Sequence, residues 1–326
     1  MDVKEEKGIT LGVLVITIII LIILAGVSIS LFTGGDGLIA KAQETKINMI
    51  NAQEEESELA SSFYNKMLGI IAEPAPPKDT GATTHEANEL TDTWSELGKM
   101  ADKIASSSEI TSSTIEVEVD GKILGIGDWL TVLYGTGQTK KKVRILGFNH
   151  DTLANDSSKK AGISFEFVTT LERAEMNTSA TNTGGWEASS MRTMLAENGT
   201  LYTSLPEDLR NEIKTVSKAW NLTGETAQNQ NPPTSDKLWL LSYYEILGEL
   251  PASGIQAEGE EYAWYVNGGS RVKSSTFTGI GDPTTTWWLR SPCYDSNDSF
   301  YFVRLNGRCD YMEANTSYGV APGFSI

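Results

Sequence analysis

The sequence predicts an α+β protein, with a long N-terminal helix able to cross a membrane, followed by a mixed head of many short strands and long loops. Three observations predict it. No charged residue falls between Lys7 and Asp36, and the apolar run reaches Phe32. That exceeds the roughly 20 residues that cross a bilayer as a helix. Next, Ile39, Ala42, Lys46, Met49, Ile50 and Gln53, then Leu59, Phe63, Met67 and Ile70, recur at the spacing of one helix face. Beyond Ile115, short alternating or apolar runs are broken by turn residues, the pattern of strands.

The elements follow in order. Ala25-Gly26-Val27-Ser28 sits inside the apolar run instead of after it, so a membrane anchor fits better than a cleaved secretory signal. Gly34-Gly35-Asp36-Gly37 breaks or kinks the helix. Residues 38–71 resume it, with Glu54-Glu55-Glu56-Ser57-Glu58 as a solvated acidic face. Pro74, Pro76 and Pro77 open a polar linker to about residue 88. A short helix over 90–105 and a Ser/Thr-rich hinge over 106–114 complete that linker region. Ile115-Glu116-Val117-Glu118-Val119 alternates and ends at Asp120-Gly121, a hairpin signal. Strands are expected over 123–134, 142–148 and 163–168, and helices over 188–195 and 206–216. Residues 221–235 read as a loop, 238–242 as a buried strand, 248–281 as loop-rich, and 286–326 as strand again.

Composition narrows the function. At 326 residues the chain has room for two or three units. A net charge of −17 and a pI of about 4.6 exclude the basic footprint that nucleic acid requires. Such a charge suits an exposed, soluble surface protein. Eight Trp and eleven Tyr are enough to build a core. Cys293 and Cys309 are too few for a disulfide scaffold; either a pair or two unrelated thiols fits the spacing.

The tail carries the best candidate for recognition. Asn306-Gly307 between two strand-like runs predicts a two-residue hairpin turn. That turn places Arg304 opposite Cys309, Val303 opposite Asp310 and Phe302 opposite Tyr311. One side then shows Phe300, Phe302, Arg304, Cys309 and Tyr311, and the other Tyr301, Val303, Leu305, Asp310 and Met312. Neither side is cleanly apolar. A mixture of aromatics and arginine at a surface points to binding.

Two resemblances sharpen these readings. The string KGITLGVLVITIIILIILAGVSIS resembles the prepilin class of the type IV pilin family. The resemblance implies cleavage after Gly8, leaving Ile9 as the new N-terminus. It also makes residues 9–72 a transmembrane and pilin-type helix behind a leader at 1–8. The family's usual glutamate at the fifth mature position is absent, since Val13 stands there, which argues against a main filament subunit. The strings KVRILGFNHD, GGWEASSMRTML, LPEDLRNEIKTV, DKLWLLS, WWLRSP and GVAPGFSI resemble C-type lectin-like surface proteins, some of them diversified by retroelements that rewrite adenines. That resemblance implies a ligand-binding domain over 115–326 after a linker over 73–114, with a variable region over about 287–326. The implied frame is Trp287, Trp288, Arg290, Ser291, Pro292, Val303, Gly307, Gly319, Val320, Pro322 and Phe324. The implied variable, ligand-contacting positions are Cys293, Tyr294, Asp295, Asn297, Asp298, Phe302, Arg304, Asn306, Arg308, Cys309, Asp310 and Tyr311. All twelve are residue types reachable from an asparagine codon by changing adenines, whereas Met312 and Glu313 are not.

Other chemistry finds little support in the sequence. Asp295, Asn297 and Asp298 offer oxygens for calcium, but the usual lectin tripeptides are absent and an ordinary acidic loop fits better. His85 lies in the linker and His150 beside Asn149 and Asp151, without zinc spacing, a nucleophile elbow or a phosphate loop. The expectation is therefore no catalysis, metal or cofactor. The protein is expected at the cell surface, anchored by its N-terminal helix, either alone or as part of a pilus. Its partners would be an extracellular protein or glycan, the membrane and pilin subunits. A structural pilin or pseudopilin with a fixed head is the alternative. A formylglycine-generating type of oxidase using Cys293 and Cys309 is the least favoured.

Overall fold

The computed structural model describes residues 85–222, 231–277 and 282–326. The leader with Gly8 and Ile9, the 9–72 helix and most of the proline linker lie outside the described residues. In chain order the elements are α1 (Trp94–Ser106), β1 (Glu116–Val119), β2 (Lys122–Gly125), β3 (Trp129–Tyr134), β4 (Thr139–Phe148), β5 (Thr152–Leu153), β6 (Asp156–Lys160), β7 (Ile163–Phe167) and β8 (Arg173–Ala174). Then come α2 (Ser190–Leu195), α3 (Thr200–Thr203), α4 (Glu207–Glu212), β9 (Val216–Lys218), β10 (Thr234–Asp236), α5 (Tyr243–Leu247), α6 (Ala263–Val266), β11 (Lys273–Ser274) and β12 (Thr284–Thr285). The chain ends with β13 (Trp287–Pro292), β14 (Ser299–Val303), β15 (Cys309–Glu313), β16 (Tyr318–Gly319) and β17 (Gly323–Ser325).

The expected α+β class is corrected here. The structure is mostly β, 32% strand against 18% helix, so helices decorate sheets and do not form a layer of their own. Among the described residues no helix is long and apolar enough to cross a membrane. The physical reason lies in the short helices. The run expected to be helical over 206–216 stops at Glu212, and Val216 turns instead into a ladder with Asp236. The apolar run 238–242 is buried but forms no strand: Trp239 bridges Gly323, and Leu241 O accepts from Arg290 N–H of β13 at 2.9 Å.

The helix α1 also departs from expectation. Its N-terminus is a capping box, with Thr93 and Glu96 satisfying each other's backbone N–H. Trp94, Leu97, Met100, Ala101 and Ile104 then fall on one face and join the main core, and Trp94 meets Phe165 and Phe324 edge-on. The helix belongs to the head, not to a linker.

Among the described residues there are five sheets: the pairs β1-β2 and β11-β12, a four-stranded β10-β9-β5-β6, and two core sheets that hold most of the buried strand residues. A four-stranded antiparallel sheet runs β17-β7-β4-β3, and a five-stranded one runs β15-β14-β13-β16-β8. A bulge in β4 lets Ile145 pair with Phe165 and Gly147 with Ser164, leaving Leu146 as the extra residue. Ile145 and Phe148 therefore face the main core while Leu146 enters a second cluster with Trp287, Leu289, Tyr301 and Val303. In the five-stranded sheet, Trp288, Phe300 and Phe302 pack into the main core. Trp287, Leu289, Tyr301 and Val303 pack into the second. Its middle strands are covered on both faces.

The start of the described chain is also docked, although the sequence reading put His85 in a linker. Leu90 N–H donates to Trp129 O at 2.7 Å and Trp129 N–H to Asn88 O at 2.9 Å. His85 Nδ1 lies 2.7 Å from Glu116 Oε2, and Nε2 lies 2.7 Å from Asp128 Oδ1. The ring rests against Gly125, where a Cβ would come within 2.2 Å of it. Burial opposes the imidazolium, but the hydrogen bonds to Asp128 and Glu116 outweigh it and raise the ring above its usual value. A raised folded pKa stabilises fully below the unfolded value near 6.5, and that contribution is lost as pH rises through the folded value. Denaturation of His85→Gln beside wild type is therefore expected to show a clear deficit at pH 6 that shrinks by pH 9. A deficit independent of pH would show that the ring acts by packing alone.

Candidate functional site

The twelve candidate positions come from four pieces of chain: the loop between β13 and β14, strand β14, which contributes Phe302, the hairpin turn, and strand β15. The hairpin forms, but not in the expected register. Gly307 takes a φ of +82°, and its N–H donates to Arg304 O at 2.9 Å while Arg304 N–H donates to Arg308 O at 2.8 Å. The loop therefore holds residues 305–307, one more than a two-residue turn. Val303 pairs with Cys309, Phe302 with Asp310, and Tyr301 with Tyr311. A slip of one residue exchanges partners throughout the ladder. One face is then Tyr301, Val303, Cys309 and Tyr311, and the other is Phe300, Phe302, Asp310 and Met312.

This overturns the argument from a mixed surface on both strands. All five residues of β14 are buried, so it is an internal strand. The accessible strand is β15, at the edge of its sheet. Of the twelve candidates, Cys293 and Phe302 are buried, at 0% and 4% exposure. Tyr294, Asp295, Asn297, Asn306, Arg308 and Tyr311 are exposed, and Asp298, Arg304, Cys309 and Asp310 are half-buried. Every frame residue, from Trp287 to Phe324, is buried.

The edge has its own internal order. Arg304 Nε donates to Asp310 Oδ2 at 2.9 Å, and a second guanidinium nitrogen also reaches that oxygen. This two-point contact holds both chains across the hairpin. Tyr311, 51% exposed, meets Tyr301 edge-on at 6.3 Å between ring centroids, and Tyr301 leans on Tyr243 at 4.8 Å. An aromatic ladder thus runs from the second core to the surface.

The 293–298 loop is set by a residue the sequence did not single out. Asn182 Nδ2 donates to Ser296 O at 2.7 Å and to Ser299 O at 2.9 Å, and Asn182 N–H donates to Asn297 O at 3.0 Å. With the loop backbone tied down, the side chains of Tyr294, Asp295 and Asn297 face outward. The carboxylate of Asp298 is occupied by the hydroxyls of Ser296 and Ser299, which hold it below its usual value. An asparagine in a polar loop carries no pattern that marks it as a tether, so only the fold reveals it. Asn182→Ala removes one buried and one part-buried hydrogen bond and is expected to cost about 1–3 kcal/mol. Faster amide exchange confined to residues 293–299 is the check; unchanged exchange there would show that the tether is dispensable.

Neither thiol is activated. Both cysteines are free, Cys293 buried and Cys309 half-buried. Burial pushes Cys293 up to about 11 and Cys309 up to about 12. At neutral pH each is a protonated thiol, a poor nucleophile. His150 is likewise committed to packing, stacked on Tyr262 at 3.9 Å with its Nε2 facing Glu260 O.

Residues 153–326 match the family described as Domain of unknown function (DUF6273). The chain belongs to this family. No curated protein and no solved structure matches it. The DUF6273 span takes in the whole five-stranded sheet, but only β7 and β17 of the β17-β7-β4-β3 sheet. Strands β3 and β4 and helix α1, which close the main core, come from residues before it.

Proposed function

We propose that this member of the DUF6273 family is a membrane-tethered, surface-displayed binding protein, pilin-like at its N-terminus. Its C-terminal sheet edge presents a diversifiable surface to an extracellular protein or glycan. It acts by binding, with no chemical step. One observation carries the proposal. The positions expected to stay fixed are all buried, and those expected to vary lie at the surface, apart from Cys293 and Phe302. A rigid frame under exchangeable side chains is a general solution to recognition. The exposed set includes Tyr294, Tyr311 and Arg308, residue types that give large contact area or strong polar contacts at interfaces.

Deep sequencing of the last 40 or so codons across one cultured population and its close isolates tests the reading. The expected result is change concentrated at Tyr294, Asp295, Asn297, Arg304, Asn306, Arg308 and Tyr311, traceable to adenine positions. Trp287, Gly307 and Pro322 stay constant, and Phe302 changes only among large apolar residues. A uniform tail, or change scattered without regard to adenine, would leave a surface protein with a fixed head.

A further inference from the structure

Strand β15 is open along one side. In an antiparallel pair, residues that exchange hydrogen bonds alternate with residues that do not. Arg304 N–H donates to Arg308 O at 2.8 Å, and Ala314 N–H donates to Asp298 O at 2.8 Å, at opposite ends of the β14–β15 ladder. Between them the register is unbroken, from Val303 with Cys309 to Ser299 with Glu313. The residues of β15 bonded to β14 are therefore Asp310 and Met312. Cys309, Tyr311 and Glu313 turn their backbone groups the other way, and β15 is the last strand of its sheet.

Two of these outward groups are engaged. Tyr311 N–H donates to Asp310 Oδ1 at 2.9 Å, and Glu313 O accepts from Thr316 N–H at 2.9 Å. Among the described residues, Cys309 N–H and C=O, Tyr311 C=O and Glu313 N–H have no hydrogen-bond partner. Natural sheets commonly close such an edge with proline, lysine, a bulge or a covering element. The strand Cys309-Asp310-Tyr311-Met312-Glu313 has no proline, no lysine and no bulge. Its cap at Tyr311 is the Asp310 carboxylate, and Asp310 is one of the positions proposed to vary.

The open groups recur every two residues, about 7 Å apart along the strand. Another extended chain offers donors and acceptors at that same spacing, whereas the hydroxyls of a sugar ring lie closer together. Charge narrows the occupant. The strand carries Asp310 and Glu313 and no basic residue, so it suits a neutral or basic segment. A second copy fits less well, because two chains with a net charge of −17 repel each other. We propose that β15 is a docking strand for a neutral or basic extended segment of a partner protein, which joins the sheet as a sixth strand. This rests on the reading of the edge as the binding surface, and it names the class of partner. Main-chain hydrogen bonds do not depend on side-chain identity. The strand therefore supplies a constant part of the affinity, while Tyr311 and its neighbours choose among segments.

Selection of a random dodecapeptide library on the full-length chain in nonionic detergent tests it. The selected peptides are expected to carry no net negative charge and to slow amide exchange at Cys309 and Glu313. Two variants at Glu313, which lies outside the positions proposed to vary, separate backbone from side chain. Glu313→Gln and Glu313→Pro both remove the carboxylate, and neither breaks a bond to β14, but only proline removes the outward N–H. Glu313→Pro should weaken the peptides at least about tenfold, and Glu313→Gln less than about threefold. The exchange measurement on the unaltered chain decides even if the proline variant fails to fold. Failure to select any peptide, peptides that leave Cys309 and Glu313 unprotected, or equal weakening in the two variants would overturn the proposal. A dimer that protects the same two amides without peptide would also overturn it, by placing a second copy on the edge. None of these outcomes bears on whether the tail varies, which the codon survey decides.

Discussion

Arg290→Met is expected to cost about 3–5 kcal/mol of folding stability, among the largest effects of any single change in the head. The guanidinium is fully buried and lies between two acids. It contacts both oxygens of Glu245, at 2.5 and 3.0 Å, and the backbone oxygen of Glu258 at 2.7 Å. Glu245 in turn takes Lys218 Nζ at 2.6 Å, and Lys218 reaches Asp151 at 2.8 Å and Tyr262 OH at 3.1 Å. Burial works against the Glu245 carboxylate, but Arg290 and Lys218 hold it below its usual value. Without Arg290, Glu245 keeps one cation where it had two, the carbonyls of Ala219 and Leu240 lose its hydrogen bonds, and Glu258 O is left with Ser242 Oγ. The penalty is mostly that of buried groups left unpaired, not the intrinsic worth of the pair. The double variant Arg290→Met with Glu245→Met separates the two. It should be more stable than the sum of the single effects by at least about 1 kcal/mol. Urea unfolding at pH 7 gives the three differences. Strict additivity would mean that Arg290 and Glu245 are not energetically coupled.

That network shows where sequence reading stops. Most of the frame was legible because Trp287, Trp288, Val303, Val320 and Phe324 are apolar types, which carry their burial in their chemistry. The capping box of Thr93 and Glu96 could be read from spacing, but the sequence did not show that α1 closes the core. Lys218, Glu245 and Glu258 carry no signal of burial in the sequence, since such types are mostly exposed, and Arg290 enters the frame only through the resemblance; all four are buried. Only tertiary pairing makes their burial tolerable, and pairing between residues 27 or more positions apart leaves no local pattern. The hairpin was legible from Asn306-Gly307, but its register was not. Gly307 suits a two-residue turn or a three-residue loop with a left-handed residue, and the choice between them sets every cross-strand pair. In the same way the β4 bulge at Leu146 sends consecutive apolar residues to two different cores, which a period-two reading cannot foresee.

Phe302→Ala and Tyr311→Ala are expected to separate sharply, although both positions stand in the same candidate set. Phe302 is 4% exposed, meets Tyr318 at 4.6 Å and Trp288 at 6.1 Å between ring centroids, and faces the main core. Removing its ring leaves a void between two aromatic side chains and costs about 3–5 kcal/mol. Tyr311 projects from the edge strand with half its surface in water and meets Tyr301 edge-on. Its loss should cost no more than about 1 kcal/mol, the scale of one exposed aromatic pair. Thermal unfolding of the two variants beside wild type gives the comparison. The consequence for function is direct. If Tyr311 is silent in stability and Phe302 is not, ligand contacts are confined to the side chains that face water, and position 302 sustains the frame beneath them. A repertoire that spends codons on position 302 would then lose many of its members to misfolding before binding is ever tested. Equal costs at the two positions would place Tyr311 in the frame as well and shift the binding surface toward the 293–298 loop.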